Sequence, residues 1–293
     1  MNYKILFEDK DIIVCYKPPG VATQTKSLWQ QDMVTLLKNY LSKSKAVQNP
    51  YLGLIHRLDQ PVSGVLVFAK NKKAASILSK QLQADFFHKH YLAICSGVPV
   101  PAEGTLIHNH RKEAPFGSGV GDGINEHPFY ENNSFDEVRG FPKKNNVTGL
   151  AIIEESVDNR KEKQYHSSVC REDGRDVHAL YESGEFIQSK PAVLDYKVIK
   201  AFDDVALLSI NLKTGRFHQI RAQFSYIGHA LLGDRKYGNE TSRQLADKYG
   251  LSALALCAHR LTFIHPMTGK EMSFTQTPDW IDVLPLSGTS TKI

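Results

Sequence analysis

Two short segments of this chain gather residue types that could act on a charged substrate. The first, His56-Arg57-Leu58-Asp59-Gln60-Pro61-Val62-Ser63-Gly64, sets a carboxylate beside an arginine and runs straight into the apolar stretch Val65–Ala69. A loop held by a strand is a sound place for a reactive group. The same pair read as a surface ion pair capping a strand would carry little energy. The second, Lys213-Thr214-Gly215-Arg216-Phe217-His218-Gln219-Ile220-Arg221, crowds Arg216, His218, Gln219 and Arg221 into the expected first turn of a helix. Cations there oppose the helix macrodipole, so the arrangement costs stability unless an anion sits among them. A local conflict of this kind points to function.

The elements that must position these segments read as mixed α and β. Ile12–Tyr16, Gly64–Ala69, Tyr91–Ser96, Ala192–Ile199 and Val205–Leu212 are apolar or β-branched runs and are expected to be strands. A first helix is expected through Trp29, Met33, Leu36, Leu37, Tyr40 and Leu41 with Ser27 as N-cap, and a second through Ala75, Leu78, Leu82 and Phe86. A third is expected over Phe217–Ile227, stopping at Gly228. Phe263 and Met272–Phe274 read as a closing hairpin around the turn His265–Gly269.

Charge divides the chain. The net is +5, but residues 104–190 hold 11 basic and 15 acidic side chains, net −4, and the remainder carries +9. A basic body suits a polyanion, nucleic acid first. The acidic segment is polar and turn-rich. Its glycine cluster, Gly117 to Gly123, fits no phosphate-binding spacing and reads as a loop. At 41% hydrophobic and 23% charged residues, the composition is that of a globular protein, which excludes whole-chain disorder. No apolar run reaches the roughly 18 residues of a membrane span, and the first residues do not read as a signal peptide. The cysteines (Cys15, Cys95, Cys170, Cys257) are scattered and form no C-x-x-C pair, which excludes a zinc ribbon and a disulfide framework. A cytoplasmic, monomeric protein is expected. The histidines (His56, His218, His259, and the pairs His88/His90 and His108/His110) match no metal-ligand spacing, so no metal is expected.

These segments resemble the RluA-type pseudouridine synthases, which isomerise uridine in ribosomal and transfer RNA. The His-Arg-Leu-Asp loop followed by Ser-Gly stands as His56–Asp59 with Ser63-Gly64, and the Gly-Arg-x-His-Gln-Ile-Arg motif as Gly215–Arg221. Four further markers fall in the family's order: Lys17–Gly20, Lys89–Ala93, Gly228–Gly238 and Ala258–Pro266. Gln60-Pro61-Val62 and Phe217 depart from the usual residues, and the 104–190 segment is longer than the family's connection there. The resemblance implies a stand-alone catalytic domain without the family's S4-type RNA-binding domain. It would span residues 1–285, interrupted by an insertion at about 111–188 and followed by a tail at 286–293. The insertion is expected to be either a small lobe at the cleft edge or a solvated loop.

What the resemblance implies is specific. Asp59 would be the nucleophile, suited to it because an aspartate is ionised at neutral pH, with an unperturbed pKa of about 3.9. Arg221 would pair with it and keep it ionised. Tyr91 would stack on the uracil and move a proton late in the reaction. Arg57 would enter the RNA stack where the uridine leaves, as a planar guanidinium can. Leu261 would line the uracil pocket, and His56, Arg216, His218, Gln219 and Lys17 would serve in substrate binding. The isomerisation is redox-neutral and implies no cofactor. The implied fold is the α+β pseudouridine-synthase fold: a mixed, largely antiparallel sheet with flanking helices around an RNA cleft. The partner would be structured RNA, ribosomal or transfer. A non-catalytic RNA-binding or ribosome-assembly protein on the same fold is the alternative; intact Asp59, Tyr91 and Arg221 weigh against it. An aspartate-based hydrolase would need a second catalytic carboxylate or a metal site, and no motif for either stands in the sequence.

Overall fold

The computed structural model describes residues 3–27, 29–45, 48–84, 86–110 and 190–284. The insertion expected at about 111–188, its glycine cluster, Cys170 and the tail at 286–293 lie outside the described residues.

The chain opens with a hairpin of β1 (Lys4–Glu8) and β2 (Ile12–Lys17). Asp9 makes the turn: its Oδ1 accepts the N–H groups of Asp11 and Ile12, each at 2.8 Å. The whole of β2 is buried. Ile13 and Cys15 enter one core cluster while Ile12 and Val14 enter another. A strand covered on both faces has to read as an unbroken apolar run, as this one does.

Helix α1 (Met33–Lys45) follows, then β3 (Gly53–Leu54), the Asp59 loop, β4 (Ser63–Ala69), α2 (Lys72–Gln83) and β5 (His88–Ser96). Next come β6 (Glu103–His110), β7 (Lys190–Ala201), β8 (Val205–Leu212), α3 (Gln219–Tyr226), α4 (Glu240–Lys248), β9 (Leu256–Ile264) and β10 (Glu271–Thr275). Among the described residues the strands form one sheet in the order β1-β2-β4-β9-β5-β8-β7-β6, with β3 beside β4 and β10 beside β9. Each pairing is antiparallel except β4–β9, so the expected mixed, largely antiparallel sheet is what the chain forms.

The parallel β4–β9 pairing is short, Ser63 against Cys257 and Gly64 against Ala258. Gly64 sits at φ +139°, and a Cβ there would lie 2.5 Å from the Ala258 nitrogen and Cβ. That close approach explains why glycine ends the Asp59 segment. Among the described residues, three large clusters fill the space around the sheet. Met33 and Leu37 of α1 and Ile220 and Phe224 of α3 pack with Leu66, Phe68 and Tyr91. Ala74 and Leu78 of α2 pack with Val65, Val67, Phe87, Leu261 and Phe263. Leu245 and Ala246 of α4 pack with Ile94, Val205 and Leu207.

Several expected boundaries move. Helix α1 starts at Met33 rather than at a Ser27 cap, because Asp32 Oδ1 takes the Thr35 N–H at 2.7 Å. Trp29 shares the helical spacing of Met33 but lies outside the helix and is 97% exposed. Phe86 falls beyond α2 and is exposed, and α3 begins at Gln219, leaving Phe217 exposed before it. Strand β6, inside the segment read as turn-rich, and helix α4 were not anticipated. The hairpin around His265–Gly269 forms as expected between β9 and β10, and Gly228, at φ +83°, follows the end of α3. His110 pairs with Lys190 at the ends of β6 and β7, so the chain leaves and rejoins the sheet at adjacent positions.

Candidate active site

Asp59 sits on the loop that enters β4, and the connection between β2 and α1 clamps that loop. The Thr23 hydroxyl donates to the Leu58 carbonyl at 2.7 Å and accepts the Leu58 N–H at 3.1 Å. Gly20 N–H donates to Gln60 O at 2.9 Å, and Gln60 Nε2 returns a bond to Gly20 O at 3.0 Å. Val62 N–H closes the turn onto Asp59 O at 3.0 Å. The backbone on both sides of the carboxylate is therefore fixed, which is what precise positioning of a reacting group requires.

Lys17 lies beneath this loop, fully buried. Its ammonium donates to three carbonyls, Val21 at 2.7 Å and Pro18 and Gln60 at 3.1 Å each. Burial pulls its pKa down to about 7, against the pull of the Asp59 charge. Lys17 therefore ties the turn after β2 to the Asp59 loop.

The second motif arrives from the other side. Gln219, at the start of α3, uses its Oε1 to accept the Thr214 hydroxyl at 2.8 Å and the Arg216 N–H at 3.0 Å, folding the preceding turn. That turn leaves His218 at φ +52°, a left-handed conformation that costs a non-glycine residue on the order of 1 kcal/mol. Its ring stacks on Phe217 and shares a 3.1 Å hydrogen bond between Nδ1 and the Tyr237 hydroxyl, and Nε2 comes to 3.6 Å from Asp59 Oδ2.

One turn on, Arg221 is buried, with Nη1 3.7 Å from Asp59 Oδ2. Its closer partner is Asp234, which accepts from Nε at 2.7 Å and Nη2 at 2.8 Å in a two-pronged pair. Asp234 Oδ1 also accepts the N–H groups of Lys236 and Tyr237 at 2.9 and 3.0 Å. Burial works to raise the Asp234 pKa, but the Arg221 fork and these N–H groups outweigh it and hold the carboxyl below its ordinary value. The anion that the sequence demanded at this helix N-terminus is thus supplied twice, by Asp59 and by Asp234. Asp234 was within a recognised segment, but nothing in its spacing, 13 residues from Arg221, announced the pairing.

Asp59 is the exposed member of the group, with its side chain 28% accessible. Burial nevertheless raises its pKa above the ordinary carboxylate value; Arg221 and Lys17 pull it down, and Asp234 adds to the rise. Tyr91, on β5, is almost fully buried, and burial followed by the nearby Asp59 charge pushes its phenol well above its usual pKa. The structure thus brings Asp59, Tyr91, Arg221, His218 and Lys17 together, with Gln219 organising the turn.

The remaining candidates stand otherwise. Arg57 is exposed and donates from Nη2 to Gln24 O at 3.2 Å. Arg216 reaches from Nε to Pro191 O at 2.9 Å, tying its turn to β7. His56 is buried edge-on against Phe87, with its pKa driven down to about 3 by burial and by Lys89, so it is a neutral anchor for the loop. Leu261 packs in the cluster of Phe87, Phe263, Val65 and Val67, apart from the one that holds Tyr91 and Leu58. Among the described residues, Asp9, Asp11 and His265 bring metal-ligand atoms within 4.8 Å of one another. Both nitrogens of His265 are already engaged: Nε2 with Asp9 at 2.8 Å, and Nδ1 with the N–H groups of Met267 and Thr268. This group fastens the β9–β10 turn to the β1–β2 turn. Among the described residues no helix is long and apolar enough to cross a membrane.

Comparison with known proteins bears on this arrangement. Ribosomal large subunit pseudouridine synthase D of Nitrosomonas europaea is 28% identical over 270 residues, covering 91% of this chain and 59% of that protein. tRNA pseudouridine synthase C of Haemophilus ducreyi is 25% identical over 280 residues, covering 95% and 92%. The chain thus spans less than two thirds of the length of the first relative and nearly all of the second. The solved structure of human RNA pseudouridylate synthase domain containing 4 shares the fold, with a TM-score of 0.61 over 95% of this chain and 90% of that one, at 20% identity. Residues 11–226, most of the chain, match the family model described as RNA pseudouridylate synthase. With its Asp59 and Arg221 motifs inside that match, the chain belongs to the RNA pseudouridylate synthase family.

Proposed function

We propose that this chain isomerises uridine to pseudouridine at a specific position of a structured RNA, ribosomal or transfer, with Asp59 as the nucleophile. The observation that carries the proposal is the setting of Asp59: a carboxylate open to solvent on one side, with the buried Arg221 guanidinium 3.7 Å away and Lys17 beneath its loop. A buried cation fixed by its own partner, Asp234, cannot swing away, so the field it exerts on Asp59 is preorganised.

The reaction conserves every atom. Asp59 adds to the target nucleoside, the bond between ribose C1′ and uracil N1 breaks, and the freed base rotates. C5 then bonds to C1′, the C5 proton leaves, N1 is protonated, and Asp59 is regenerated. Arg221 stabilises the ionised carboxylate before attack and after release. Tyr91 holds its proton at neutral pH because burial and the Asp59 charge oppose its ionisation. In this reading its ring faces the uracil, and it takes part in proton movement late in the reaction. The target base has to leave its stack to reach Asp59. In this reading Arg57, which is exposed, fills the gap with its planar guanidinium. Relatives named for ribosomal and transfer RNA both support an RNA substrate, as does the net +9 outside the acidic segment.

Mapping pseudouridines in cellular RNA with and without this chain tests the proposal. The expected result is the loss of a small set of sites, restored by the wild-type chain; identical maps in a strain that normally expresses it would contradict the proposal.

A further inference from the structure

Trp29 is 97% exposed, although an aromatic side chain of its size normally buries on the order of 150–250 Å². The core clusters make no use of it. Isolated exposed aromatics are ordinary on protein surfaces, so exposure alone means little. The attachment of its loop sets this one apart. Ala22 pairs with Asp32 across the loop base, Met33 N–H donates to Ala22 O at 3.0 Å, and Thr25 N–H donates to Asp32 Oδ2 at 2.7 Å. The same base is bonded to the Asp59 loop through Thr23 to Leu58, Gly20 to Gln60 and Gln24 to Arg57. Trp29 is three residues from Asp32, so its Cα lies within about 11 Å of that anchor. An indole is thus displayed in water from a support that is hydrogen-bonded to the nucleophile's own loop.

The neighbouring side chains say what it meets. Gln24, Lys26, Ser27, Gln30 and Gln31 are exposed, whereas the loop's one acid, Asp32, is buried as the cap of α1. A cation, several amides and a bare aromatic with no exposed carboxylate among them match a nucleic-acid strand: phosphate for Lys26, base edges for the glutamines, and a base face for the indole.

We propose that Trp29 stacks on an unpaired base of the RNA, a few nucleotides from the target uridine, and so helps select which uridine reaches Asp59. This rests on the reading of the chain as an RNA-modifying enzyme and adds a specificity contact to it.

Two measurements test it. The chain has two tryptophans, so Trp280→Phe leaves Trp29 as sole reporter. Titrating that variant with poly(U) should quench its fluorescence saturably, and Trp29→Phe in the otherwise wild-type chain should lose this quench; absence of quenching while poly(U) binds overturns the proposal. On an RNA that the wild type modifies, Trp29→Ala should raise KM by about 5- to 150-fold with kcat held, the range expected for one stacked base. Trp29→Phe should recover most of the loss. Equal KM in wild type and Trp29→Ala overturns the proposal, and a side chain this exposed can be truncated without disturbing the fold. Were the wild type to modify no RNA while Trp29 still quenched on poly(U), the enzymatic reading would fall and the stacking contact would stand.

Discussion

Arg221→Met removes one cation that serves two carboxylates, and the two effects can be separated. The Asp234 side chain is wholly buried and takes two of its four hydrogen bonds from Arg221, at 2.7 and 2.8 Å. Removing one partner of a buried pair costs about 3–5 kcal/mol, so the single variant should unfold at markedly lower urea concentration. At Asp59 the lost charge stood 3.7 Å away. With an effective dielectric constant of about 20, that separation corresponds to a ceiling of about 4.5 kcal/mol. Asp234 stays behind as a negative neighbour that itself raises the Asp59 pKa, so that pKa should rise in the single variant. Asp59 already lies above its ordinary value, and only its ionised form attacks. The acid limb of the activity–pH profile should therefore move upward, by about 1–3 pH units if Asp59 behaves as an aspartate that loses an adjacent arginine. The assay is tritium release from RNA carrying 5-tritiated uridine, measured across pH for the wild type, Arg221→Met and Arg221→Met/Asp234→Leu. The double variant replaces the ion pair with apolar bulk and should regain stability while its acid limb stays above that of the wild type. A folded Arg221→Met whose acid limb coincides with the wild type would refute the pairing.

Other substitutions probe the scaffold. Thr23→Val removes the hydroxyl that holds Leu58 by two bonds and should lower kcat more than it raises KM, with about 1–3 kcal/mol of stability lost by urea unfolding. Gly64→Ala places a methyl group 2.5 Å from the Ala258 backbone at φ +139°, and should abolish soluble folded protein or lower its stability by more than about 3 kcal/mol; near-wild-type unfolding would show that the β4–β9 approach is not tight. Replacing residues 112–186 with a short Gly/Ser linker should leave a cooperatively folding protein, because His110 and Lys190 are already paired neighbours. Loss of cooperative unfolding would show that the sheet depends on the replaced residues.

The parts of this fold that could be read from the sequence are those where burial leaves a pattern. Ile12–Cys15 and Val65–Phe68 are covered on both faces and appear as unbroken apolar runs. Strand β6 was not legible because Leu106 is buried while its neighbour Ile107 is exposed, too thin a pattern beside so many polar residues. Periodicity misplaced the start of α1 because Trp29 lies one helical turn before Met33; the decisive signal was the capping carboxylate of Asp32, which hydrophobic spacing does not register. At the site, motif resemblance pointed to Asp59, Tyr91 and Arg221, and the structure places them together. The division of labour around them was hidden. His56 and Lys17 are expected in substrate binding, but His56 is a buried neutral anchor and Lys17 bonds three carbonyls, and Asp234 becomes Arg221's closer partner only when the chain folds back.

The most direct test of a nucleophilic Asp59 is the Asp59→Asn variant in the tritium-release assay. The amide is nearly isosteric and leaves the Arg221–Asp234 pair intact, so folding and RNA binding should persist while release from 5-tritiated uridine falls to background. Continued release by a folded Asp59→Asn protein would contradict the assignment of Asp59 as the nucleophile.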